Sequence, residues 1–312
     1  MDKQKPGLLS IWSAQIRANF LLLAVLLVCI GLAYTYKFNP SSSGSFNWLH
    51  AILVMAGAVF SHISVNLFNE YFDFISGVDF KTKRTPFSGG SGMLVRGYTK
   101  PGTVLAAAVS FLLAALVIGI YFTIVSHPVI AFFVITGGLT IVLYNGLLSR
   151  LMLGELFAGL TLGTFVVIGT YIAMTANPGI PVSETVPLGL LLLSIPPGIL
   201  TSLLLLLNEF PDAEADKTGG RKHIVVRLGK RKAAYVYVAG IFLTFGTILF
   251  LPIAGLASGW IFIALLPLPI AMRSAVIAVR HNRTPSLMVT AQANIVATVL
   301  GTDFLLALAI LI

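Results

Sequence analysis

The sequence predicts an all-α polytopic membrane protein, a bundle of nine transmembrane helices with its polar loops in the cytoplasm. Three observations predict this class. The 312 residues are 57% hydrophobic and only 10% charged, whereas an average soluble domain is roughly 25% charged. Apolar runs of about 20 residues, enough to cross a hydrocarbon core of roughly 30 Å as helix, recur along the chain. No strand pattern competes, because these runs are long and continuous and only helices and closed barrels span membranes.

The apolar runs place the helices in chain order, with short connections between most antiparallel neighbours. The predicted bounds are 16–36, 47–72, 103–126, 128–148, 152–175, 185–209, 231–253, 257–278 and 291–312. The apolar stretch within residues 1–36 is too long for a signal peptide and lacks a small-residue cleavage site, so we interpret it as the first helix. The pair Pro196-Pro197 is expected to bend the sixth helix in the middle of the membrane.

The basic residues predict the orientation of the bundle. All Lys and Arg residues except Lys37 fall at the N-terminus, near one set of helix ends, or in the connections after even-numbered helices. The positive-inside rule makes that side the cytoplasm, with the N-terminus inside and the C-terminus outside. The opposite connections, such as 39–47 and 175–184, contain no basic residue. This bias explains the net charge of +9 without a nucleic-acid partner, and it predicts a plasma-membrane protein in contact with lipids.

A short pattern, Asn-Glu-aromatic-x-Asp, occurs twice. It reads LFNEYFD at 67–73 and LLNEFPD at 206–212, with the two Asn residues 139 positions apart. Both copies end a predicted helix on the cytoplasmic side, and the longer polar segments 73–102 and 210–230 follow them. We predict a single transmembrane domain that spans residues 1–312. It consists of two related halves, at about 16–148 and about 152–278, and an added last helix at 291–312.

The two copies also concentrate the acidic residues, since seven of the eleven Asp and Glu residues lie in these two windows. At about 100° per residue, Asn69 and Asp73 share one helix face, which His62 extends into the membrane. In the first window Asp79 follows six residues after Asp73. The second window places three residues at i, i+4 and i+8, on one drifting face if the helix continues: Asn208, Asp212 and Asp216.

Packed carboxylates near a bilayer are costly unless they are paired or bind a cation, so they are functional candidates. The single cysteine, Cys29, excludes a cysteine metal cluster and a disulfide framework, and we interpret it as a small buried apolar residue. Carboxylate and amide oxygens favour a hard cation, and Mg²⁺ typically binds through one or two carboxylates together with substrate phosphates. The acidic windows therefore predict a magnesium–diphosphate site.

Cations follow both acidic windows and suit a phosphate ligand. Lys83 and Arg84 follow the first window, and Arg221 and Lys222 follow the second. The stretch SGGSG at 88–92 has backbone amides that can wrap phosphate oxygens, although a flexible linker has the same composition.

The stretches NEYFDFISGVD (69–79) and NEFPDAEAD (208–216) resemble the two aspartate-rich motifs of the UbiA superfamily of intramembrane prenyltransferases. The second has the form N-x3-D-x3-D. The first, with its more distant last Asp, is similar to the menaquinone-type members, which prenylate 1,4-dihydroxy-2-naphthoate. The stretches GRKHIVVRLGKRKA (220–233) and LGELFAGLTLG (153–163) are similar to that branch as well.

This resemblance implies Mg²⁺-dependent transfer of a polyprenyl group from a polyprenyl diphosphate to an aromatic acceptor, in a cytoplasmic active site. Two Mg²⁺ ions are implied. Arg84, Lys83 and Arg221 would stabilise the leaving diphosphate, and the allylic cation would be captured by an aromatic carbon. The implied metal ligands are Asn69, Asp73, Asp79, Asn208, Asp212 and Asp216.

Four further residues are weaker candidates. Tyr144 would shield the allylic cation, although an ordinary packing role is the simpler interpretation. His62 would line the pocket, and Glu155, at the start of the fifth helix, would face the same cavity. Arg17 would reach a phosphate or a lipid headgroup. Asp303, in the last helix, is interpreted as a structural partner of a polar group.

Other functions stay open on the sequence alone. The acceptor could instead be 4-hydroxybenzoate, heme or an archaeal glycerol-phosphate lipid. A cation-coupled transporter also uses intramembrane carboxylates in repeated halves, and a lipid-linked phosphotransferase also binds Mg²⁺ and diphosphate. Transport sites usually lie near the bilayer midplane, whereas both acidic windows lie at predicted cytoplasmic helix ends. This position favours the enzyme.

Overall fold

A computed structural model describes residues 6–38 and 46–312 of the protein. Every regular element in these two ranges is helical, and no strand is present in them. The predicted all-helical class is therefore confirmed for the described part of the chain. The predicted outer connection 39–47 lies mostly outside that part, because residues 39–45 are not among those described.

The α-helices in the described ranges are numbered α1 to α12 in chain order. The first six are α1 Leu8–Gln15, α2 Leu21–Phe38, α3 Trp48–Ile75, α4 Pro101–Val125, α5 Ile130–Leu143 and α6 Gly154–Gly159. The last six are α7 Phe165–Thr175, α8 Leu188–Leu193, α9 Ile195–Thr218, α10 Ile224–Ile253, α11 Leu268–Arg280 and α12 Pro285–Leu311. A π-helical segment, Leu160–Thr164, joins α6 to α7 without a break.

Eight helical stretches in the described ranges are long and apolar enough to cross a membrane. They include Gly154–Thr175, which joins α6 to α7, and Leu188–Thr218, which joins α8 to α9. The fourth of the nine predicted spans, 128–148, corresponds to α5, which has only 14 residues. At about 1.5 Å per residue such a helix rises about 21 Å, less than the roughly 30 Å of a hydrocarbon core.

Several helix ends differ from the predicted bounds. The sixth predicted helix stops at residue 209, whereas α9 continues to Thr218 through Pro211. The helical path is interrupted at Ser194, directly before Pro196-Pro197, where we predict a bend. Prolines suit the first turn of a new helix, because their missing N–H groups have no partner there anyway. The charged end of α9 is helical but polar, so a pattern of apolar residues underestimates its length. In α10 the backbone leaves the helical conformation at Gly229, with φ of 77° and ψ of 155°, so the predicted start at residue 231 matches the helix that follows this kink.

The chain before the first predicted span is a separate element. Helix α1 exposes Leu8 and Leu9, with 74% and 85% of their surfaces accessible. Arg17 then adopts a left-handed backbone conformation, with φ of 51°, and a 3₁₀ turn at Ala18–Phe20 leads into α2. The left-handed residue separates α1 from α2, so the predicted start of the first span at residue 16 falls in this turn.

The buried apolar side chains form one large hydrophobic cluster and smaller ones. The large hydrophobic cluster lies among α2, α9, α10, α11 and α12, and it includes the fully buried Leu27, Leu200 and Ile295. A smaller hydrophobic cluster lies between α3 and α4, around Leu67 and Val104. The two helices that carry the acidic windows, α3 and α9, are therefore held by different sets of neighbours.

Glycines let the chain around α6 approach α9 very closely. A Cβ atom at Gly163 would lie 2.5 Å from the Cα atom of Gly198. A Cβ atom at Gly159 would overlap the Ser202 side chain and the Gly198 carbonyl oxygen. Small residues at such positions allow backbone-to-backbone packing in a bilayer, where lipid tails weaken any hydrophobic driving force. We call Gly159, Gly163 and Gly198 the glycine contact.

Candidate active site

The first acidic cluster is built from a helix end and the turn that follows it. Asn69 and Asp73 lie one turn apart near the end of α3, which stops at Ile75. Gly77 then takes a left-handed conformation, with φ of 78°, and a 3₁₀ turn brings Asp79 back so that only 2% of its surface is exposed. This reversal explains the six-residue spacing between the two aspartates, because the helix ends between them.

The second acidic cluster lies on one continuous helix. Asn208, Asp212 and Asp216 occupy positions i, i+4 and i+8 of α9, which runs without interruption past Pro211. The condition on which the predicted common face depends, continuation of the helix, is therefore met. Asp216 is buried, with 2% of its surface exposed.

Both clusters line one polar chamber of about 90 Å³. Helix α3 and the turn at Asp79 supply one set of lining residues, and α9 supplies the other. The structure thus brings together all the predicted metal ligands, namely Asn69, Asp73, Asp79, Asn208, Asp212 and Asp216.

Arg221 links the two clusters. Its guanidinium group donates to Asp73, to Asp216 at 2.8 Å and to the side-chain oxygen of Asn145 at 2.8 Å. Asn145 in turn donates to Asn69 at 2.7 Å. Burial of Arg221 opposes its charge, but the adjacent carboxylates of Asp73 and Asp216 outweigh burial and raise its pKa, so the group is a permanent cation at the centre of the site.

His223 supports the second cluster from behind. Its Nε2 atom lies 3.1 Å from an oxygen of Asp216, and its Nδ1 atom lies 3.2 Å from Glu209. Burial favours the neutral ring, but hydrogen bonds and charge from Asp216 and Glu209 outweigh it and raise the pKa of His223 to about 10. The ring therefore fixes one oxygen of Asp216 while Arg221 fixes the other.

Unpartnered carboxylate oxygens show that the chamber suits a cation. Asp79 Oδ2 and Asp212 Oδ1 are buried, and neither has a hydrogen-bond partner among the described residues. Burial, together with the nearby Asp73 and Glu70 carboxylates, raises the pKa of Asp79 to about 7. Buried oxygens without partners cost free energy, and divalent cations bound by carboxylate and amide oxygens would remove that cost. The donor set therefore fits Mg²⁺.

A glycine loop, residues 88–92, forms one wall of the chamber. Gly89 and Gly90 line it, and both have left-handed backbones with φ of 87° and 67°. A Cβ atom at Gly90 would lie 2.6 Å from Asp79 Oδ1, so only glycine allows this close approach. Glu70 holds the loop by accepting hydrogen bonds from the backbone N–H and the hydroxyl of Ser91.

Gln292 connects the loop wall to the second cluster. It lies in α12 with no exposed surface, accepts a hydrogen bond from Thr85 at 3.3 Å and donates to Asn208 at 3.2 Å. The sequence analysis missed Gln292 and Asn145, because no motif surrounds either residue. Their roles depend on helices that are far apart in the chain.

The polar chamber adjoins an apolar cavity of about 580 Å³. Arg17, Asn69, Tyr144 and Asn208 line both spaces, so they mark the passage from one to the other. His62 lines only the apolar cavity.

The remaining predicted site residues lie outside the chamber wall. Arg84 is exposed, although its guanidinium group donates to the backbone oxygen of Asp79 at 3.2 Å. Lys83 and Lys222 are exposed and do not line the chamber. Glu155 is buried behind the wall, where it accepts a hydrogen bond from the backbone N–H of Ile224 at 2.7 Å.

Comparison with known families gives a match along most of the chain. Residues 38–296 match the model of the UbiA prenyltransferase family. The matched range contains both acidic clusters and ends within α12. The part of the chain that carries the candidate site is therefore the part that carries the family pattern.

Three curated relatives have the same name, 1,4-dihydroxy-2-naphthoate octaprenyltransferase. The protein of Bacillus subtilis is 29% identical over 264 residues, covering 84% of this chain and 81% of the relative. That of Escherichia coli is 25% identical over 282 residues, covering 86% and 85%. That of Haemophilus influenzae is 27% identical over 235 residues, covering 72% and 71%.

Solved structures with the same fold include UbiA homologues from two archaea. The apo structure from Aeropyrum pernix has a TM-score of 0.65 at 15% identity and covers 90% of this chain and 96% of its own. A homologue from Archaeoglobus fulgidus, bound to DMAPP and Mg²⁺, has a TM-score of 0.59 at 15% identity and covers 95% and 98%. At this identity the likeness shows the fold.

Proposed function

Because the chain belongs to the UbiA prenyltransferase family and is an integral membrane prenyltransferase, we propose that it transfers a polyprenyl group to 1,4-dihydroxy-2-naphthoate in menaquinone biosynthesis. One observation carries the proposal: two facing acidic clusters share a polar chamber that adjoins a large apolar cavity. A polyprenyl diphosphate has the same division, with a charged head and a long apolar tail.

The polar chamber would hold the diphosphate head. The carboxylate and amide oxygens of the two clusters would bind two Mg²⁺ ions. When bound, Mg²⁺ neutralises the diphosphate and draws electrons from the breaking carbon–oxygen bond. Arg221 would remain between the clusters and stabilise the charge that develops on the leaving diphosphate. The outer cations Arg84, Lys83 and Lys222 would attract the anionic substrate to the chamber entrance.

The apolar cavity would hold the prenyl tail. Its apolar lining around α3, α4 and α5 excludes water from the allylic carbon, which would otherwise capture water in place of the acceptor. Tyr144, at the junction of the two spaces, would face the developing allylic cation with its ring. His62 and Arg17 are the other polar groups that we propose to contact substrate at the junction side of this cavity.

The acceptor follows from the relatives, whose printed names specify 1,4-dihydroxy-2-naphthoate. In the proposed reaction the allylic carbon leaves diphosphate and bonds to the ring carbon that carries the carboxylate. That carboxylate departs as CO₂, and its electron pair restores the aromatic ring. The positive charge of the allylic cation and the negative charge of the carboxylate cancel, so the products of this step, the prenylated ring and CO₂, are both neutral.

We also propose the membrane arrangement that the basic residues predict. Nine helices would cross the membrane, with α5 as the shortest, the N-terminus in the cytoplasm and the C-terminus outside. The chamber would then face the cytoplasm of the cell membrane. The chain would be one domain with two related halves, at about 16–148 and 152–278, each of which supplies one acidic cluster.

An acceptor screen tests this function. Purified protein in lipid nanodiscs is incubated with Mg²⁺, radiolabelled octaprenyl diphosphate and one acceptor at a time: 1,4-dihydroxy-2-naphthoate, 4-hydroxybenzoate, heme or a glycerol phosphate. We expect labelled product only with the naphthoate, together with release of CO₂ from carboxyl-labelled acceptor. Product with another acceptor overturns the substrate assignment. Cation flux or phosphate transfer without prenyl product overturns the enzyme class assigned to the site.

A further inference from the structure

Three buried side chains from distant parts of the sequence meet at one wall of the polar chamber, which Glu209 and His223 line. Glu155 comes from the start of α6, Glu209 from α9 and His223 from the residue before α10. One nitrogen or oxygen atom of each lies within 4.8 Å of the others. Only 3%, 8% and 2% of their respective surfaces are exposed.

Glu155 Oε2 is buried and has no hydrogen-bond partner among the described residues. Glu209 Oε2 and His223 Nδ1 are also buried and have no other partner among those residues, but they face each other at 3.2 Å. A buried polar atom in a native protein normally has a partner, and an unpaired carboxylate oxygen is especially costly. The unpartnered oxygen of Glu155 and the Glu209–His223 pair therefore place three electron-pair donors within 4.8 Å of one another, an arrangement that a metal cation would satisfy.

The neighbours of the three side chains orient them for such a ligand. Asp216 lies 3.1 Å from His223 Nε2. When a metal ion replaces the proton on Nδ1, the proton that stays on Nε2 is held by Asp216, and the Nδ1 lone pair is free to bind the ion beside Glu209. The backbone N–H of Ile224 donates to the other oxygen of Glu155 at 2.7 Å, which leaves Oε2 free. A carboxylate that binds the far nitrogen of a histidine is the usual support for a metal-bound imidazole.

We propose that Glu155, Glu209 and His223 bind a divalent transition-metal ion, with Zn²⁺ as the best fit, at a site that adjoins the second acidic cluster and uses none of the proposed Mg²⁺ ligands. One imidazole nitrogen and two carboxylate oxygens form a donor set that Zn²⁺ accepts in tetrahedral geometry, and the imidazole makes it softer than the all-oxygen clusters that suit Mg²⁺. The ion tethers α6, α9 and the start of α10. It would therefore fix His223, and through it Asp216.

The alternative to a bound metal ion is a second proton on His223. The imidazolium would then contact Glu209 at 3.2 Å and Asp216 together, without any metal. A proton would leave Glu155 Oε2 unpartnered, whereas a metal ion satisfies all three atoms. Measured metal content distinguishes the two.

The experiment uses the full chain, purified in detergent, stripped with EDTA and then given Zn²⁺ in the presence of excess Mg²⁺. After desalting, bound zinc is counted by mass spectrometry for the wild type and for Glu209→Gln, His223→Gln and Asp212→Asn. We expect about one tightly held Zn²⁺ per chain in the wild type and in the control Asp212→Asn, which alters the acidic cluster alone. The Glu209→Gln and His223→Gln variants should lose it.

Two further readouts make the result independent of prenyl transfer. Zn²⁺ should raise the midpoint of thermal unfolding of the wild type and of Asp212→Asn, because binding to the folded state stabilises it, but not that of the other two variants. Co²⁺ in place of Zn²⁺ should give visible absorption bands of a tetrahedral site. No retained zinc in the wild type overturns the proposal, as does zinc that is lost only in Asp212→Asn or retained equally by all four proteins.

Discussion

The two acidic clusters perform matching tasks but are built in different ways. The second lies on one straight run of α9, where helix geometry sets every spacing. The first spans a helix end, a left-handed glycine and a 3₁₀ turn, and the glycine loop closes it. The first cluster therefore depends on backbone conformations outside regular structure, whereas the second depends on side-chain partners.

The neighbours of one aspartate from each cluster show the same difference. Both oxygens of Asp216 have a cationic or hydrogen-bonding neighbour, Arg221 on one side and His223 on the other. Asp79 has an unpartnered oxygen and a glycine backbone against it. The comparison indicates that Asp216 is held by charged side chains before ligands bind, whereas the position of Asp79 is set by the glycine loop packed against it.

The largest expected effect tests whether both clusters are needed. Asp73→Ala and Asp212→Ala should each reduce prenyl transfer by at least about 100-fold, as loss of a preorganised charge in an active site does. The matched control is Glu214→Ala, an exposed acidic residue of α9, which should retain activity. Size-exclusion profiles and helical circular dichroism should be the same in all the proteins. Near-normal turnover in either aspartate variant would contradict the shared-site proposal.

The next effect tests the link between the clusters. Arg221→Lys keeps the charge, but a lysine ammonium cannot reproduce the planar set of donors to Asp73, Asp216 and Asn145. We expect turnover to fall about 10-fold or more, since a hydrogen bond to a charged group contributes about 1.5–3 kcal/mol. Steady-state kinetics measure this change. Arg227→Lys, at an exposed position of α10, is the control and should be neutral; equal effects would show that Arg221 has no special place.

A pair of glycine substitutions tests the loop dependence of the first cluster. Gly90 and Gly97 both have left-handed backbones, with φ of 67° and 71°. A Cβ atom at Gly90 would press on Asp79, whereas one at Gly97 would meet no atom within 4 Å. Both Ala variants should lose stability by roughly 1 kcal/mol from backbone strain. Only Gly90→Ala should also require a higher Mg²⁺ concentration for half-maximal activity, and the same requirement in both would disprove a specific contact with Asp79.

The smallest effect concerns the connection made by Gln292. Gln292→Ala removes the bonds to Thr85 and Asn208, each a neutral hydrogen bond of about 1 kcal/mol. We expect a several-fold rise in the KM for prenyl diphosphate with little change in kcat. Thr290→Ala, whose hydroxyl bonds only within its own helix, serves as the control. An unchanged KM in Gln292→Ala would mean that the loop and the second cluster act independently.

The sequence predicts the two clusters well because the signal is local. Each set of ligands lies within a few turns of one helix or its immediate end, so helical periodicity brings the residues together. Asn145 and Gln292 have no such signal, since a single amide in an apolar or polar stretch gains meaning only when distant helices pack. The short α5 was also beyond a hydropathy argument, because apolar residues such as Leu147 and Leu148 continue past its end at Leu143.

The glycine contact limits how the enzyme can be redesigned. Residues beside it, such as Ala158, Leu162 and Leu204, line the apolar cavity, so this side of the pocket has a fixed position relative to the acidic residues of α9. Added bulk on the opposite side would shorten the space for an isoprenoid chain and leave the metal ligands undisturbed. A larger side chain at Gly163 would instead displace α9, which carries the second acidic cluster. Substitutions in α4 and α5 should therefore change the preferred chain length without loss of catalysis, whereas substitutions at the glycine contact should change both.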